Sequence, residues 1–233
     1  MLTAVFIESS FDVSLLPKLD SLFYLPAVRR GDIYKACTKF ERLIIVDGLF
    51  ANVRSVWHRE IIYALSIGVQ VFGCSSMGAL RASELVSYGM MGSGWVYEKL
   101  LNAEIVADDE VSLIYSFGPS GNLIIESIPL CNIMWILYTI YGLNYHKHQE
   151  VNEIIERIQS DAFNNRTLMH LKEVAFQILP SHVAKLLIER LHSRLFDIKA
   201  IDFIELLGNI YGSDFKHLLK SSSRLKYGSE YAG

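Results

Sequence analysis

Residues 69–89 constrain the fold most, because they encode a strand, an abrupt turn and a helix without interruption. Residues 69–73 have the apolar character of a short buried strand, and residues 77–88 keep helical spacing of apolar side chains up to a stop at Gly89. Only Cys74, Ser75 and Ser76 separate the two elements. The segment therefore predicts a tight strand-to-helix turn.

Ser76 is flanked by small residues two positions away on either side, Cys74 and Gly78. This spacing is that of a nucleophile elbow, in which a sharp turn presents one hydroxyl above a sheet beside unpaired backbone N–H groups. Two other interpretations stay open at this point. Ser76 can be a helix N-cap, or the turn can be a seat for a bound anion.

A second strand-and-helix unit precedes this turn. Residues 43–46 form a continuous β-rich run that stops at Asp47 and Gly48, and a helix is expected over about 55–67. Further strands are predicted at 4–7 and 23–25, and Asp32 is a plausible N-cap for a helix over 33–40. This alternation predicts a parallel sheet, in which Asp47 and Ser76 lie at the same edge.

Helical periodicity dominates after about residue 128. A helix over 95–101 and strands over 111–115 and 123–126 come first, and helices follow at 131–141, 149–159, 168–179, 182–195 and 200–211. The fold class expected is an α/β N-terminal part with a parallel sheet, over 1–127, followed by an all-helical C-terminal part, over 128–233.

Composition excludes several classes of partner. The net charge is −3 and the isoelectric point about 6.2, with no basic tract, so nucleic acid is not an expected ligand. The longest apolar stretch, 128–143, is too short to cross a bilayer, and no secretory leader is expected at the N terminus. Three scattered cysteines indicate neither a disulfide framework nor a zinc site. We expect a cytoplasmic protein without metal or cofactor.

Four charged residues near the turn have possible roles in the site. His58 and Arg59 open the helix before the turn and face different directions, so that either one can approach Ser76. Arg81 can pair with Glu84 or Asp47, because a charge within an apolar helix usually has a partner. Arg59 can likewise simply form an ion pair with Glu60 or Glu84. The acidic run at 108–110 is expected to be a solvated loop rather than a metal site.

Several segments, in this order along the chain, together resemble the TfuA-like family. They are Ile44-Ile-Val-Asp-Gly-Leu-Phe50, Val56-Trp-His-Arg-Glu-Ile61, Ser75-Ser-Met-Gly-Ala-Leu-Arg-Ala82 and Asp108-Asp-Glu-Val111. The resemblance covers about residues 29–115 and is most specific at 75–82. Phe163-Asn-Asn-Arg-Thr167 fits more loosely.

The resemblance implies a partner of YcaO-type enzymes, which activate a peptide amide with ATP so that sulfur replaces oxygen. A protein of this kind is thought to hydrolyse a thiocarboxylated ThiS-like carrier protein through a serine–lysine pair. Ser76 matches the motif serine, whereas Arg59 stands where a lysine is expected. Arginine stays charged and cannot act as a base, so His58, Lys35 or Lys39 would have to activate the serine.

On this basis Ser76 attacks the thiocarboxylate carbon, and the backbone N–H of Met77 stabilises the oxyanion. Arg59 and His58 complete the catalytic set, and the substrate-binding set comprises Asp47, Ser75, Gly78, Arg81 and Glu84. The expected partners are a YcaO-type enzyme, a ThiS-like carrier protein and, as an additional candidate, the precursor peptide. The alternatives are a non-catalytic docking subunit of the YcaO-type enzyme and, ranked lower, a phosphate- or nucleotide-binding domain.

Overall fold

A computed structural model describes residues 1–49, 54–119, 121–212, 215 and 217–218 of the chain. These residues form two compact units. The first contains residues 1–106 together with the described residues from 199 onward, and the second contains residues 107–198. The predicted regions 1–127 and 128–233 were drawn from periodicity alone, and that boundary stays a prediction.

The first unit is built on a five-stranded parallel sheet with the strand order β2-β1-β3-β4-β5. The strands are β1 (Thr3–Phe6), β2 (Leu22–Leu25), β3 (Arg42–Ile45), β4 (Gln70–Gly73) and β5 (Met91–Gly92). All five strands run in the same direction. The segments that follow β3 and β4 therefore lie at the same edge of the sheet. The predicted parallel α/β class is confirmed.

Helices of the first unit cover both faces of this sheet. They are α1 (Asp32–Ala36), α2 (His58–Ser66), α3 (Met77–Leu85), α4 (Trp95–Leu101) and α9 (Ile198–Tyr211). Side chains alternate along β1, so that Ala4 and Phe6 pack in the core with Met77. Val5 and Ile7 belong to the opposite core, together with Phe203 of α9.

Within its described residues, the second unit contains one antiparallel hairpin and four α-helices, besides short 3-10 helices. The hairpin pairs β6 (Tyr115–Phe117) with β7 (Leu123–Ile125). The helices are α5 (Leu130–Tyr141), α6 (Gln149–Gln159), α7 (Leu168–Ile178) and α8 (Ser181–Leu191). The predicted helical character of the C-terminal part is confirmed. None of the helices described here has both the length and the apolar character that crossing a bilayer requires.

Two local predictions were wrong. The strand expected over 111–115 begins only at Tyr115, because the 3-10 helix at Asp108–Glu110 leads into a helical backbone at Val111. The Ser112 hydroxyl then donates to the Asp108 carbonyl and closes this turn. The N-cap of α1 is Gly31, with φ of 91°, rather than Asp32.

Candidate functional site

The link between β4 and α3 is a three-residue turn with strained backbone. The N–H of Ser76 donates to the carbonyl of Cys74 at 2.8 Å, which closes a γ-turn around Ser75. Ser75 has φ of 67°, in the left-handed region that non-glycine residues rarely adopt. Strain of this kind costs about 1–3 kcal/mol and concentrates at functional sites. The predicted abrupt turn is therefore present.

Two glycines bring α3 into direct contact with the sheet. A Cβ on Gly78 would collide with the carbonyl oxygen of Ile45 in β3, and one on Gly73 would collide with the carbonyl of Gly78. The N–H of Gly78 donates to the Val46 carbonyl at 3.2 Å. Gly78 therefore fixes the start of α3 against the strand ends, a packing contact that sequence spacing alone did not reveal.

Ser76 is the N-cap residue of α3, but its side chain makes no capping hydrogen bond. The interpretation of its hydroxyl as a helix cap was wrong. The residue is 4% exposed. The N–H of Met77 donates to no acceptor in the part of the chain that the structure describes, whereas those of Ala79 and Leu80 are bonded to the carbonyls of Cys74 and Ser76. The helix start thus offers one backbone donor beside Ser76.

The neighbouring side chains of the turn face the protein interior. Ser75 is fully buried, and its hydroxyl donates to the Lys199 carbonyl in α9 at 2.7 Å. Cys74 is also fully buried, and desolvation raises the pKa of its thiol well above the usual range. A thiol held in its neutral form is a poor nucleophile. Neither Cys74 nor Ser75 is therefore available to attack a substrate, and the nucleophilic role of Ser76 stays a prediction.

Asp47 lies at the end of β3 and has an ordering role. One of its carboxylate oxygens accepts from the N–H groups of Glu8, Ser9 and Ser10 at 2.8–2.9 Å, and the other accepts from the Ser10 hydroxyl at 2.6 Å. The carboxylate is buried. Asp47 therefore fixes the loop after β1 at the edge of the sheet where Ser76 lies.

Helices α2 and α3 are joined by a polar cluster. Glu84 accepts from the Arg81 guanidinium at 2.6 Å and lies 2.7 Å from Nε2 of His58. Arg81 also donates to the Val56 carbonyl at 3.3 Å. Among the described contacts, neither His58 nor Arg59 makes a hydrogen bond to Ser76. Pairing of Arg81 with Glu84 is confirmed, whereas the catalytic roles of His58 and Arg59 stay predictions.

Arg59 lies over Trp57 and forms no ion pair with any residue that the structure describes. Its guanidinium carbon is 5.4 Å from the centroid of the indole. Glu60, one of the two acids considered as its partner, is fully buried and accepts from the N–H groups of Gly31 at 2.7 Å and Trp57 at 3.4 Å. The expected pairing of Arg59 with Glu60 or Glu84 was wrong, because both carboxylates already have other partners.

The lysines named as alternative bases lie elsewhere. Lys35 pairs with Asp32 at 3.6 Å, and the Lys39 ammonium lies 5.1 Å from the centroid of the Phe23 ring. Lys199, in contrast, is 2% exposed and is joined to the turn through the Ser75 hydroxyl. Sequence reasoning missed Lys199. The available signal was a lysine within the apolar run at 198–204.

Two residues of the acidic run at 108–110, Asp109 and Glu110, contact polar side chains in the second unit. The Arg166 guanidinium, fully buried, donates to the Asp109 carboxylate at 2.7 Å and to the carbonyls of Asp109 and Ile158. Glu110 is buried and accepts from Gln159 at 3.1 Å. The expectation of a solvated loop holds for Asp108, which is exposed, and was wrong for Glu110. No group of three or more potential metal ligands occurs within the described residues.

Comparison with known proteins identifies the family of the chain. The family model described as TfuA-like protein matches residues 47–167, more than half of the chain. The matched region includes the β4–α3 turn and both partners of the Asp109–Arg166 pair. No curated protein matches the chain. The chain belongs to the TfuA-like family.

Proposed function

We propose that this protein hydrolyses the C-terminal thiocarboxylate of a ThiS-like carrier protein and supplies sulfide to a YcaO-type enzyme, with Ser76 as the nucleophile. TfuA-like proteins are associated with YcaO-type enzymes, and an accessory role in thioamide formation follows from family membership. The proposed reaction goes further. It assigns a chemical step to the turn between β4 and α3.

The observation that carries this proposal is the arrangement of Ser76 and Met77 at that turn. The Ser76 hydroxyl does not cap its helix, and the adjacent Met77 N–H has no acceptor among the described residues. A nucleophile followed by an unpaired backbone donor at a helix start is the arrangement that stabilises an oxyanion. Burial strengthens this effect, because the local dielectric is low.

The reaction proceeds in two balanced steps. In the first, Ser76 Oγ forms a bond to the thiocarboxylate carbon, the C–S bond breaks, and hydrosulfide leaves with the proton lost by the serine. In the second, water attacks the resulting ester, the C–Oγ bond breaks, and Ser76 regains a proton. The carrier leaves with a carboxylate, and one proton enters solution.

We assign the transfer of the serine proton to Lys199. Serine–lysine pairs perform this transfer in other hydrolases, and Lys199 is a buried lysine whose backbone carbonyl accepts from the Ser75 hydroxyl in the turn. This assignment explains why arginine is tolerated at position 59. The base comes from α9, far along the chain, and the helix at 58–66 need not supply it.

The low exposure of Ser76 favours a second candidate function. A serine residue that is only 4% exposed leaves little room for a substrate, as expected of a non-catalytic subunit that docks on the YcaO-type enzyme. In that case the turn at 74–76 would have a structural role. The two functions make opposite predictions for removal of the Ser76 hydroxyl.

Sulfide release from thiocarboxylated carrier distinguishes the two functions. Ser76→Ala is expected to reduce the rate at least about a hundredfold, because the covalent route is lost. Ser83→Ala is the matched control, because it removes a hydroxyl of α3 that donates only to the Leu80 carbonyl. Undiminished release by Ser76→Ala, with thioamide formation intact in the reconstituted system, would instead support the docking role.

A further inference from the structure

Two arginines of the first unit lie over one exposed tryptophan, and a third arginine is adjacent to one of them. The guanidinium carbons of Arg30 and Arg59 are 2.9 Å and 5.4 Å from the centroid of the Trp57 indole. The N–H of Arg30 donates to the carbonyl of Arg54 at 3.0 Å. We call Arg30, Arg54, Trp57 and Arg59 the arginine cluster.

The positive charge of the arginine cluster is poorly compensated. No ion pair involves Arg30, Arg54 or Arg59 within the described residues, although the whole chain has a net charge of −3. Desolvation and the like charges of Arg54 and Arg59 lower the pKa of the Arg30 guanidinium, whereas Glu60 raises it. Glu60 is a single carboxylate, buried and already bonded to two backbone N–H groups.

An aromatic pair extends this surface. Arg59 and Tyr63 are four residues apart on α2 and therefore share one face. The ring of Tyr63 meets that of Tyr34 from α1 edge to face, with centroids 5.2 Å apart. Trp57, Tyr63 and Tyr34 are 41%, 45% and 41% exposed. Tryptophan, tyrosine and arginine are the residue types that dominate protein–protein binding energy.

The arginine cluster lies at the same edge of the sheet as Ser76. Arg30 follows β2, and Arg54, Trp57 and Arg59 lie between β3 and the first turn of α2, while Ser76 follows β4. The ends of parallel strands share one edge. His58, next to Arg59, is bonded to Glu84 in the last turn of α3, about 12 Å along that helix from Ser76.

We infer that the arginine cluster, extended by Tyr34 and Tyr63, is the docking surface for a carboxylate-rich surface of the carrier protein whose C-terminal tail is the substrate. This inference rests on the proposed function for the identity of the partner. Guanidinium groups match carboxylates in charge and geometry, and an exposed indole between them adds apolar contact. Docking at this edge brings the carrier tail to the side of the sheet where Ser76 lies.

The test measures binding of a purified ThiS-like carrier in its ordinary carboxylate form, which the enzyme does not turn over. Arg59→Glu and Arg54→Glu are each expected to weaken the affinity roughly tenfold or more at low salt, with a smaller loss at about 1 M salt. Lys18→Glu is the matched control, because it makes the same charge change on an exposed residue before β2, at the opposite edge of the sheet. It is expected to change the affinity less than about twofold.

The same variants are assayed for sulfide release from thiocarboxylated carrier. A higher KM with unchanged kcat is expected for Arg54→Glu, because Arg54 has no assigned part in the chemistry. Carrier binding that is equal in wild type, Arg59→Glu and Arg54→Glu would overturn the docking surface, even if Ser76→Ala abolishes release. Loss of binding to a YcaO-type enzyme, with carrier binding unaffected, would also overturn the choice of partner. Failure of the proposed function gives a different result from failure of the docking surface. In that case Ser76→Ala would still release sulfide, while the arginine variants would still bind the carrier more weakly.

Discussion

Ser75 and Ser76 are adjacent in sequence, but their hydroxyl groups have different environments. Ser75 occupies the strained centre of the turn, and its hydroxyl is bonded to the carbonyl of Lys199. Ser76 begins α3 without capping it. Because the first serine anchors the turn to α9, the second is placed beside the Met77 N–H. Ser75 thus ties the turn to the backbone of α9 at Lys199, the residue proposed as the base.

Substitution of Lys199 tests the assignment of the base. Lys199→Arg retains the positive charge but cannot accept a proton from serine at ordinary pH, so kcat for sulfide release is expected to fall about a hundredfold or more. Thermal denaturation establishes whether the variant is folded. Lys185→Arg, on an exposed position of α8, is the control. Full activity of folded Lys199→Arg would show that charge alone is needed and would remove Lys199 as the base.

Arg166 is expected to be the most sensitive position of the second unit to substitution. Arg166→Ala leaves the Asp109 carboxylate and three backbone carbonyls without their buried partner, so the free energy of unfolding should fall by about 3–5 kcal/mol. Arg157→Ala breaks an exposed pair with Asp161 and should cost less than about 1 kcal/mol. Urea denaturation measures both. Equal, small losses would contradict the structural role of Arg166.

Residue types and local spacing predicted the turn but not its long-range partners. The small-x-Ser-x-small pattern located Ser76 at the strand-to-helix junction, because local spacing determines a tight turn. The contacts Ser75–Lys199 and Asp109–Arg166 join residues 124 and 57 positions apart, a separation at which one sequence carries no pairing signal. Only the folded structure shows these two contacts.

At the scale of elements, the position of α3 depends on a close approach to the sheet. Gly78→Ala places a methyl group against the Ile45 carbonyl, and the helix must move away from β3. The free energy of unfolding is expected to fall by about 3 kcal/mol or more, and sulfide release should fall with it, since the Met77 N–H moves as well. Ser83→Ala, on the same helix, is expected to cost less than about 1 kcal/mol. Unchanged stability of Gly78→Ala would show that the contact is not tight.

Strands β1 to β4 and helices α2 to α9 were predicted with small boundary errors, because their apolar patterns are periodic. The strand expected at 111–115 was wrong for a specific reason. The apolar residues that suggest it, beginning with Val111, follow an acidic run whose Asp109 and Glu110 side chains bond to Arg166 and Gln159. These contacts stabilise a helical turn where local propensity favours an extended chain.

At the scale of the whole molecule, the return of α9 to the first unit completes the site. Asp202 of α9 is buried, and its carboxylate accepts from the N–H groups of Trp95 and Val96 at 2.8 and 3.0 Å. Together with the Ser75–Lys199 bond, this contact fixes α9 beside the sheet. Apolar periodicity predicted that α9 is a helix but not where it packs, because an apolar face does not specify which element it covers.

Asp202 makes the stability of the first unit depend on pH. Desolvation raises the pKa of this carboxyl to about 8 despite its two backbone hydrogen bonds. The folded state therefore binds a proton more tightly than the unfolded chain, so this group contributes less stability as pH rises from about 4 to about 8. In Asp202→Asn this part of the pH dependence should be absent. Denaturation of both proteins between pH 5 and 9 (about four pH values suffice) measures it. If the free energy of unfolding changes with pH in the same way in the wild type and in Asp202→Asn, the raised pKa of Asp202 is contradicted.

The proposed mechanism requires a covalent bond between the carrier and Ser76. The direct measurement is intact-mass and peptide mass spectrometry of the enzyme after it has been mixed with thiocarboxylated carrier and quenched with acid. We expect an ester between the carrier C terminus and the peptide that contains Ser76. This ester should be absent in Ser76→Ala. Sulfide release at the wild-type rate without any adduct, and equally fast in Ser76→Ala, would contradict the proposed mechanism.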